Sequence, residues 1–192
     1  MSPTTESTAI LHVLRQETNP FHDAVEQNPF NQALTAGTLT AAETAQFLAK
    51  MYGFLQPYEA QLRAHADEFG PEWQLEQRYR APLILEDLPR LGHLGVPALC
   101  PALPPLDTRA QLLGAMYVME GSTLGGQVIA RQLDKTGIAA HAFFTGRAER
   151  TGPLWKAFCQ LLSETADGEP PAVIVASAIL TFQTLSAWLN QP

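Results

Sequence analysis

The sequence predicts an all-α fold, a single irregular helical bundle, on three observations. Apolar residues recur at helical spacing along most of the 192 residues, no run keeps the alternation of a half-buried strand, and the helical stretches are parted by short Gly- or Pro-marked breaks. A set of amphipathic helices without strands has one packing solution, helix on helix around a shared core. At this length one domain is expected: residues 8–192 form it, with residues 1–7 as a flexible N-terminal tail.

The elements follow in order. Leu11, Leu14, Thr18, Phe21 and Val25 keep helical spacing within 8–29. Pro20 either kinks this run or opens a second helix with Asn19 as its N-cap. Residues 40–68 read as a long helix that starts on the capping box Thr40-Ala-Ala-Glu43 and bends at Pro57. Residues 70–91 read as two short helices divided near Pro82, and the proline-rich stretch from Leu94 to Asp107 as a loop. Residues 107–136 read as one glycine-bearing helix, and 137–146 as a connector with Phe143 and Phe144 exposed. Two last helices cover 148–166 and 172–190. The latter is uncharged and long enough to span a bilayer. Ser177, Thr181, Thr184 and Gln191 nevertheless fall on one stripe, which reads as a core helix of a soluble protein.

Charge narrows the function. Nineteen acidic against 12 basic residues give a formal charge of −7, which argues against nucleic acid and anionic membranes as partners. Cys100 and Cys159 form no metal-ligand or redox spacing, and the first residues lack a basic, then apolar, leader. A cytoplasmic location is expected.

Two segments could carry chemistry. The first is Tyr117-Val-Met-Glu-Gly-Ser-Thr-Leu-Gly-Gly-Gln-Val-Ile-Ala-Arg131. A glycine inside a helix costs about 1 kcal/mol against alanine, so three of them need a reason. On one continuous helix Gly121, Ser122 and Gly125 share a side with Val118 and Ile129, Gly126 lies at its edge, and Glu120, Gln127 and Arg131 point away. Such a segment admits a close-packed neighbouring helix, a loop at a helix end, or a flat ligand lying on the backbone. The second segment holds His22 and Glu26, one helical turn apart, with Arg15 two turns earlier. His22 fits a metal ligand oriented by Glu26, and equally a surface ion pair. A helix starting at Pro20 would place its N-terminal dipole against an imidazolium. A di-iron carboxylate bundle is excluded, because no His lies three residues after any Glu. GxGxxG, Walker A and GxSxG are absent as well.

With both segments on one chain, the sequence resembles the heme oxygenase family, closest to the bacterial type that supplies biliverdin to bacteriophytochromes. The likeness rests on Leu14-Arg15-x-x-Thr18-x-x-x-His22-x-x-x-Glu26, on the Tyr117–Arg131 segment, and on Phe143-Phe144, Trp155, Phe158, Phe182 and Trp188. It implies a heme oxygenase-like bundle with heme between a proximal and a distal helix. His22 would be the axial ligand of heme iron and Glu26 its supporting carboxylate. Gly121, Ser122, Gly125 and Gly126 would form the distal segment, with Val118 and Ile129 beside it. Arg15 and Lys156, and also Arg150, would approach the propionates, and Phe182 would wall the pocket. Many members carry an aspartate after the first distal glycine; here that position is Ser122. The resemblance further implies heme as both substrate and cofactor and O2 as co-substrate. The products would be biliverdin (IX-alpha), CO and ferrous iron. With no flavin or nicotinamide motif in the chain, electrons would come from a ferredoxin or reductase, and a bacteriophytochrome would receive the product. The alternatives are a non-catalytic heme carrier or sensor, and a relative of the wider fold acting on a small organic substrate.

Overall fold

The structure is a computed structural model that describes residues 7–191, with Ser7, Thr8 and Asp167 described by backbone alone. The flexible tail expected for residues 1–7 lies, Ser7 apart, outside the described residues. Nine α-helices joined by 3-10 turns and loops make up the described chain, which confirms the all-α class.

Helix α1 (Ser7–Glu26) runs unbroken through Pro20. Pro20 therefore neither starts a helix nor leaves Asn19 as a cap; the Asn19 amide instead donates to Asp23 one turn on. The dipole argument built on a start at Pro20 does not apply, since His22 lies in the last turns of α1. A short helix the periodicity missed follows, α2 (Pro29–Ala36), although its signals are all present: Asn28 accepts from Asn31 N–H, Pro29 opens the first turn, and Gly37 closes it in the left-handed region. Helix α3 (Ala41–Ala64) begins on the expected Thr40–Glu43 box and contains Pro57.

Of the two short helices expected over 70–91, one is α-helical. Residues 71–77 form 3-10 turns, α4 (Ala81–Asp87) starts at Pro82 rather than ending there, and a further 3-10 turn covers 88–91. The proline-rich stretch is a loop, pinned to α3 where Cys100 N–H donates to Gly53 O.

The expected single helix over 107–136 is two helices, α5 (Arg109–Gly121) and α6 (Gly126–Thr136), divided by a four-residue turn. Helix α7 (Ala142–Thr145) follows, and it buries Phe143 and Phe144, contrary to the exposure expected of them. Phe144 stacks in a column with Phe30 and Phe47. The cause of the burial lies far off in sequence. Asp87, fully buried, accepts the backbone N–H groups of His141, Ala142 and Phe143 and so caps α7 from α4.

Helices α8 (Thr151–Thr165) and α9 (Pro171–Leu189) complete the bundle. Among the described residues α9 alone is long and apolar enough to cross a membrane. It packs against α5, α1 and α3, burying Ile174, Ala178, Phe182, Leu185 and Trp188. Its polar stripe is part of that packing: Ser177 donates to Gln111 O of α5, and Thr181 to Ser177 O. Gly114 lets α5 approach closely, because a Cβ there would collide with the Ile174 carbonyl.

Candidate functional site

The last turns of α1 and the break after α5 are the two segments singled out by the sequence, and α1 and α5 both pack against α8 and α9. Leu14 anchors α1 in the core, and the buried Thr18 hydroxyl donates to Leu14 O. Burial pushes the Tyr117 hydroxyl up from its ordinary pKa, while Thr18 and the Arg15 charge act in the other direction. One turn beyond Thr18 stands His22, and one turn beyond Tyr117 stands Gly121.

His22 is half exposed, with 52% of its side chain accessible. Its ring meets the edge of Phe182 from α9 at 5.9 Å between centroids and 75° between planes. Glu26 Oε1 is 3.7 Å from Nε2 and Asp23 Oδ1 is 3.8 Å from Nδ1. Neither distance is a hydrogen bond. A carboxylate therefore flanks each ring nitrogen, and a half-turn of the ring exchanges them. Asp23, which the sequence reading left unused, is as well placed as Glu26 to orient the ring.

The break has a local chemical origin. From Thr123 to Gly126 the backbone changes from i−4 to i−3 bonding: Thr123 N–H donates to Glu120 O, Leu124 to Gly121 O, and Gly126 to Thr123 O. The Ser122 hydroxyl donates back to Met119 O at 2.7 Å and the Thr123 hydroxyl to Glu120 O at 2.6 Å. These bonds compete with the helix ladder where glycines already weaken it. Both hydroxyl protons are thereby committed inward, leaving each oxygen only as an acceptor.

Because of the break, the premise of one bare helix face fails. Val118 is buried in the core on α5, while Ile129 is half-buried on α6. Gly126 is buried against α7, where a Cβ would strike the Phe144 carbonyl oxygen. Gly125 faces open space, with nothing within 4 Å of a Cβ, and a Cβ at Gly121 would meet only the Trp155 ring at 3.6 Å. Trp155 of α8 also contacts Tyr117, with ring centroids 5.7 Å apart. Arg15 and Lys156 are exposed. Arg150 is drawn instead to the Gln77 side chain.

Behind the break lies a buried charged cluster. Glu120 pairs with Arg78 at 2.5 Å and with Arg147 at 2.7 and 3.0 Å. Arg80 donates to Met119 O at 2.8 Å and to Ser122 Oγ at 3.0 Å, taking up the carbonyl freed by the break. Glu59 receives the backbone N–H groups of Arg80 and Ala81. Burial, then the Arg147 charge, brings Arg80 down to about 10, so it stays cationic at neutral pH. Burial raises Glu59 above the ordinary carboxylate range, against the pull of those N–H groups. The sequence offered one hint of this cluster, a lone Glu120 in an otherwise apolar helix, but its partners lie 42 and 27 residues away.

No family model matches the chain. A protein named heme oxygenase from Xanthomonas campestris pv. campestris is 37% identical over 136 residues, covering 69% of this chain and 79% of that relative. Two solved structures share the fold. Heme oxygenase from Leptospira interrogans superposes with a TM-score of 0.72 at 18% identity, covering 94% of this chain and 98% of that one. Heme oxygenase-1 from the cyanobacterium Synechocystis, in complex with heme, gives 0.68 at 13% identity, with 94% and 90% covered. The sequence relative reaches beyond the fold to the family itself, and on it the chain belongs to the heme oxygenase family.

Proposed function

We propose that heme occupies the cleft between His22 and the break at Ser122–Gly125, with His22 as the axial ligand of its iron. The chain is an enzyme of heme degradation, converting heme to biliverdin, CO and iron. One pair of observations supports the placement: a half-exposed imidazole, edge-on to Phe182 and without a hydrogen-bond partner among the described residues, and a backbone left open at Gly125 with only the Trp155 ring beside Gly121. A flat, apolar macrocycle with a metal at its centre fits such a pair of walls. When bound, heme supplies the iron at which O2 is activated and the ring that is opened.

The chain's own groups hold, orient and exclude. Glu26 or Asp23 orients the His22 ring. Phe182 and Trp155 exclude water from the apolar part of the cleft. Gly121 and Gly125 keep side chains away from the distal face, while Gly126 fixes the break to α7. Arg80 holds Ser122 from behind and places a positive charge there. With both hydroxyl protons turned inward, Ser122 and Thr123 can hold water only by accepting from it. Arg15 and Lys156 receive the propionates. Val118 supports the distal segment from the core, and Ile129 from the start of α6.

Electrons come from an external redox protein, a ferredoxin or a reductase, the product is the IX-alpha isomer, and the protein works in the cytoplasm, where a bacteriophytochrome can take up the pigment. The test mixes purified protein with hemin, records the Soret band, then adds a reducing system under air with catalase present. Loss of the Soret band with rising biliverdin absorbance is expected, and chromatography of the pigment gives the isomer. A Soret band that persists would make the protein a carrier. His22→Ala should lose normal turnover; full biliverdin yield without added imidazole would remove His22 from the axial position.

A further inference from the structure

A groove of about 520 Å³ lies between the first half of α3 and the loop after α4, and none of its lining residues is among those placed around heme. Ala42, Ala45 and Ala49 follow one another at helical spacing, so its floor carries no side chain beyond Cβ. Trp188 closes one end, its indole N–H donating to Lys50 O at 2.7 Å. The loop on the other side is tied down. Cys100 N–H bonds Gly53 O, a Cβ on Gly53 would collide with the Ala98 carbonyl, and Pro97 is buried. Beside this hole stand knobs. Val96, which lines the groove, is 94% exposed, and Leu94 and Leu99, close by in the same loop, are 87% and 49% exposed. Together the three side chains expose on the order of 400 Å², as much as the largest apolar patch of a typical monomer.

A surface with hole and knobs side by side is complementary to itself. A two-fold axis lets the knobs of each copy enter the hole of the other. Charge selects the same occupant. Each copy carries −7, so two copies repel over most of their surfaces. The groove lining contains no Asp or Glu, and its Lys50 already lies over the Trp188 ring at 4.4 Å. Here a second copy can approach without carboxylate meeting carboxylate. We propose that the chain self-associates through this groove as a symmetric dimer, with Val96 of each copy seated on the alanine floor of the other. Two such patches bury about 1,000 Å² in total, the low end for a specific interface. The dimer is therefore weak, with a Kd of roughly 10–100 μM. It neither uses His22 nor depends on the placement of heme.

Analytical ultracentrifugation of the heme-free and the heme-loaded protein, from about 1 to about 300 μM, reads the association. The mass should rise from monomer to dimer equally in both forms. Association should be tighter at about 0.5 M NaCl than at about 0.05 M, because salt screens the repulsion between copies and leaves apolar contacts in place. Val96→Lys and Ala42→Glu lie at exposed positions and leave the core intact. Each should weaken association at least about tenfold. Mixed one to one they should restore it, because the lysine knob then meets the glutamate floor while the second knob and hole stay native. A monomer throughout, a dimer weakened by salt or lost on heme loading, an undiminished dimer in Val96→Lys, or no rescue in the mixture would each overturn the proposal. So would a monomer that partitions onto phosphatidylcholine vesicles, which would make the patch a lipid contact instead.

Discussion

Gly125 and Gly126 are neighbours in sequence and opposites in structure, and substituting each with alanine separates a ligand-facing role from a packing role. Gly125 has φ −79° and ψ −15°, ordinary right-handed geometry, and its Cβ position is open. Alanine there fits without strain and narrows the unfolded ensemble, which stabilises by about 0.4–1 kcal/mol. For a domain of this size that raises the heme-free Tm by roughly 1–4 °C. At Gly126 the new methyl would strike the Phe144 carbonyl oxygen and sit 3.3 Å from its carbon. That obstacle is backbone, held by the Asp87 cap on α7, so it cannot swing aside. Overpacking of this kind costs about 1–3 kcal/mol, a Tm loss of roughly 2–12 °C. Heme reverses the ranking. Gly125→Leu fills the space above the proposed heme face and should lose hemin affinity and turnover while the heme-free protein stays folded. Differential scanning fluorimetry without hemin, followed by hemin titration, reads both effects. Equal Tm for the two alanine variants would refute the packing argument, and normal turnover by Gly125→Leu would refute the distal placement.

Three further outcomes follow from buried groups. Burial pushes the Cys159 thiol up to about 11. At pH near 8 its thiolate fraction is therefore about a hundredfold below that of an ordinary thiol, and mass spectrometry after iodoacetamide treatment should find it largely unmodified; alkylation at the rate of a free thiol would contradict its burial. Glu59 is raised in the folded state, so its contribution to stability is fullest below the ordinary glutamate pKa and is lost as pH rises through the elevated one. The Tm difference between wild type and Glu59→Gln should accordingly fall from acid toward neutral pH, and a flat or rising difference would speak against the shift. Asp87→Ala leaves three backbone N–H groups without their carboxylate and should cost at least about 3 kcal/mol; urea denaturation that finds less than about 1 kcal/mol would mean the cap is replaced by water.

What could be read from the sequence was local. The Thr40–Glu43 box works over three residues, and the stripe on α9 over one or two turns, so both could be seen without knowing the fold. His22 and the glycines of 121–126 could be picked out as candidates from equally local signals, and Phe182 from the family resemblance. Their arrangement was not. Periodicity carried a helix across 107–136 because a four-residue turn barely changes the phase of an apolar stripe, and the bonds that make the turn come from Ser122 and Thr123 hydroxyls and from Arg80. Pro20 was read as a boundary because proline costs a helix its N–H and its fit. Burial of Leu14 and Thr18 in the turns before it outweighs that cost. Phe143 and Phe144 looked exposed in a glycine-flanked connector, and only Asp87, more than 50 residues earlier, explains why they are not.

The break at Ser122–Gly125 is weak along the chain and strong across it, and that division suits the bare surface proposed for it. A helix through Ser122–Gly125 would satisfy its own backbone. It would also turn Gly126 away from Phe144 and present side chains in a different order to the cleft. In the observed form the freed Met119 carbonyl goes to Arg80, and Glu120 one residue later goes to Arg78 and Arg147. Four arginines, counting Arg63 at 3.6 Å from Glu59, face two glutamates there, so positive charge is in excess even when both acids are ionised, and more so when Glu59 is protonated. Neutralising Arg80 would cost twice: Met119 O and Ser122 Oγ lose a donor, and the positive charge nearest Ser122 disappears. Arg80→Lys keeps the charge, but its shorter side chain ends one atom short of the Nη2 that donates to both oxygens. A comparison of Arg80→Lys with Arg80→Leu in heme turnover, at matched folded fraction, therefore separates the geometric contribution of this arginine from its charge. If the two variants lose turnover equally, positioning of Ser122 is what matters; if lysine restores most of it, the field does.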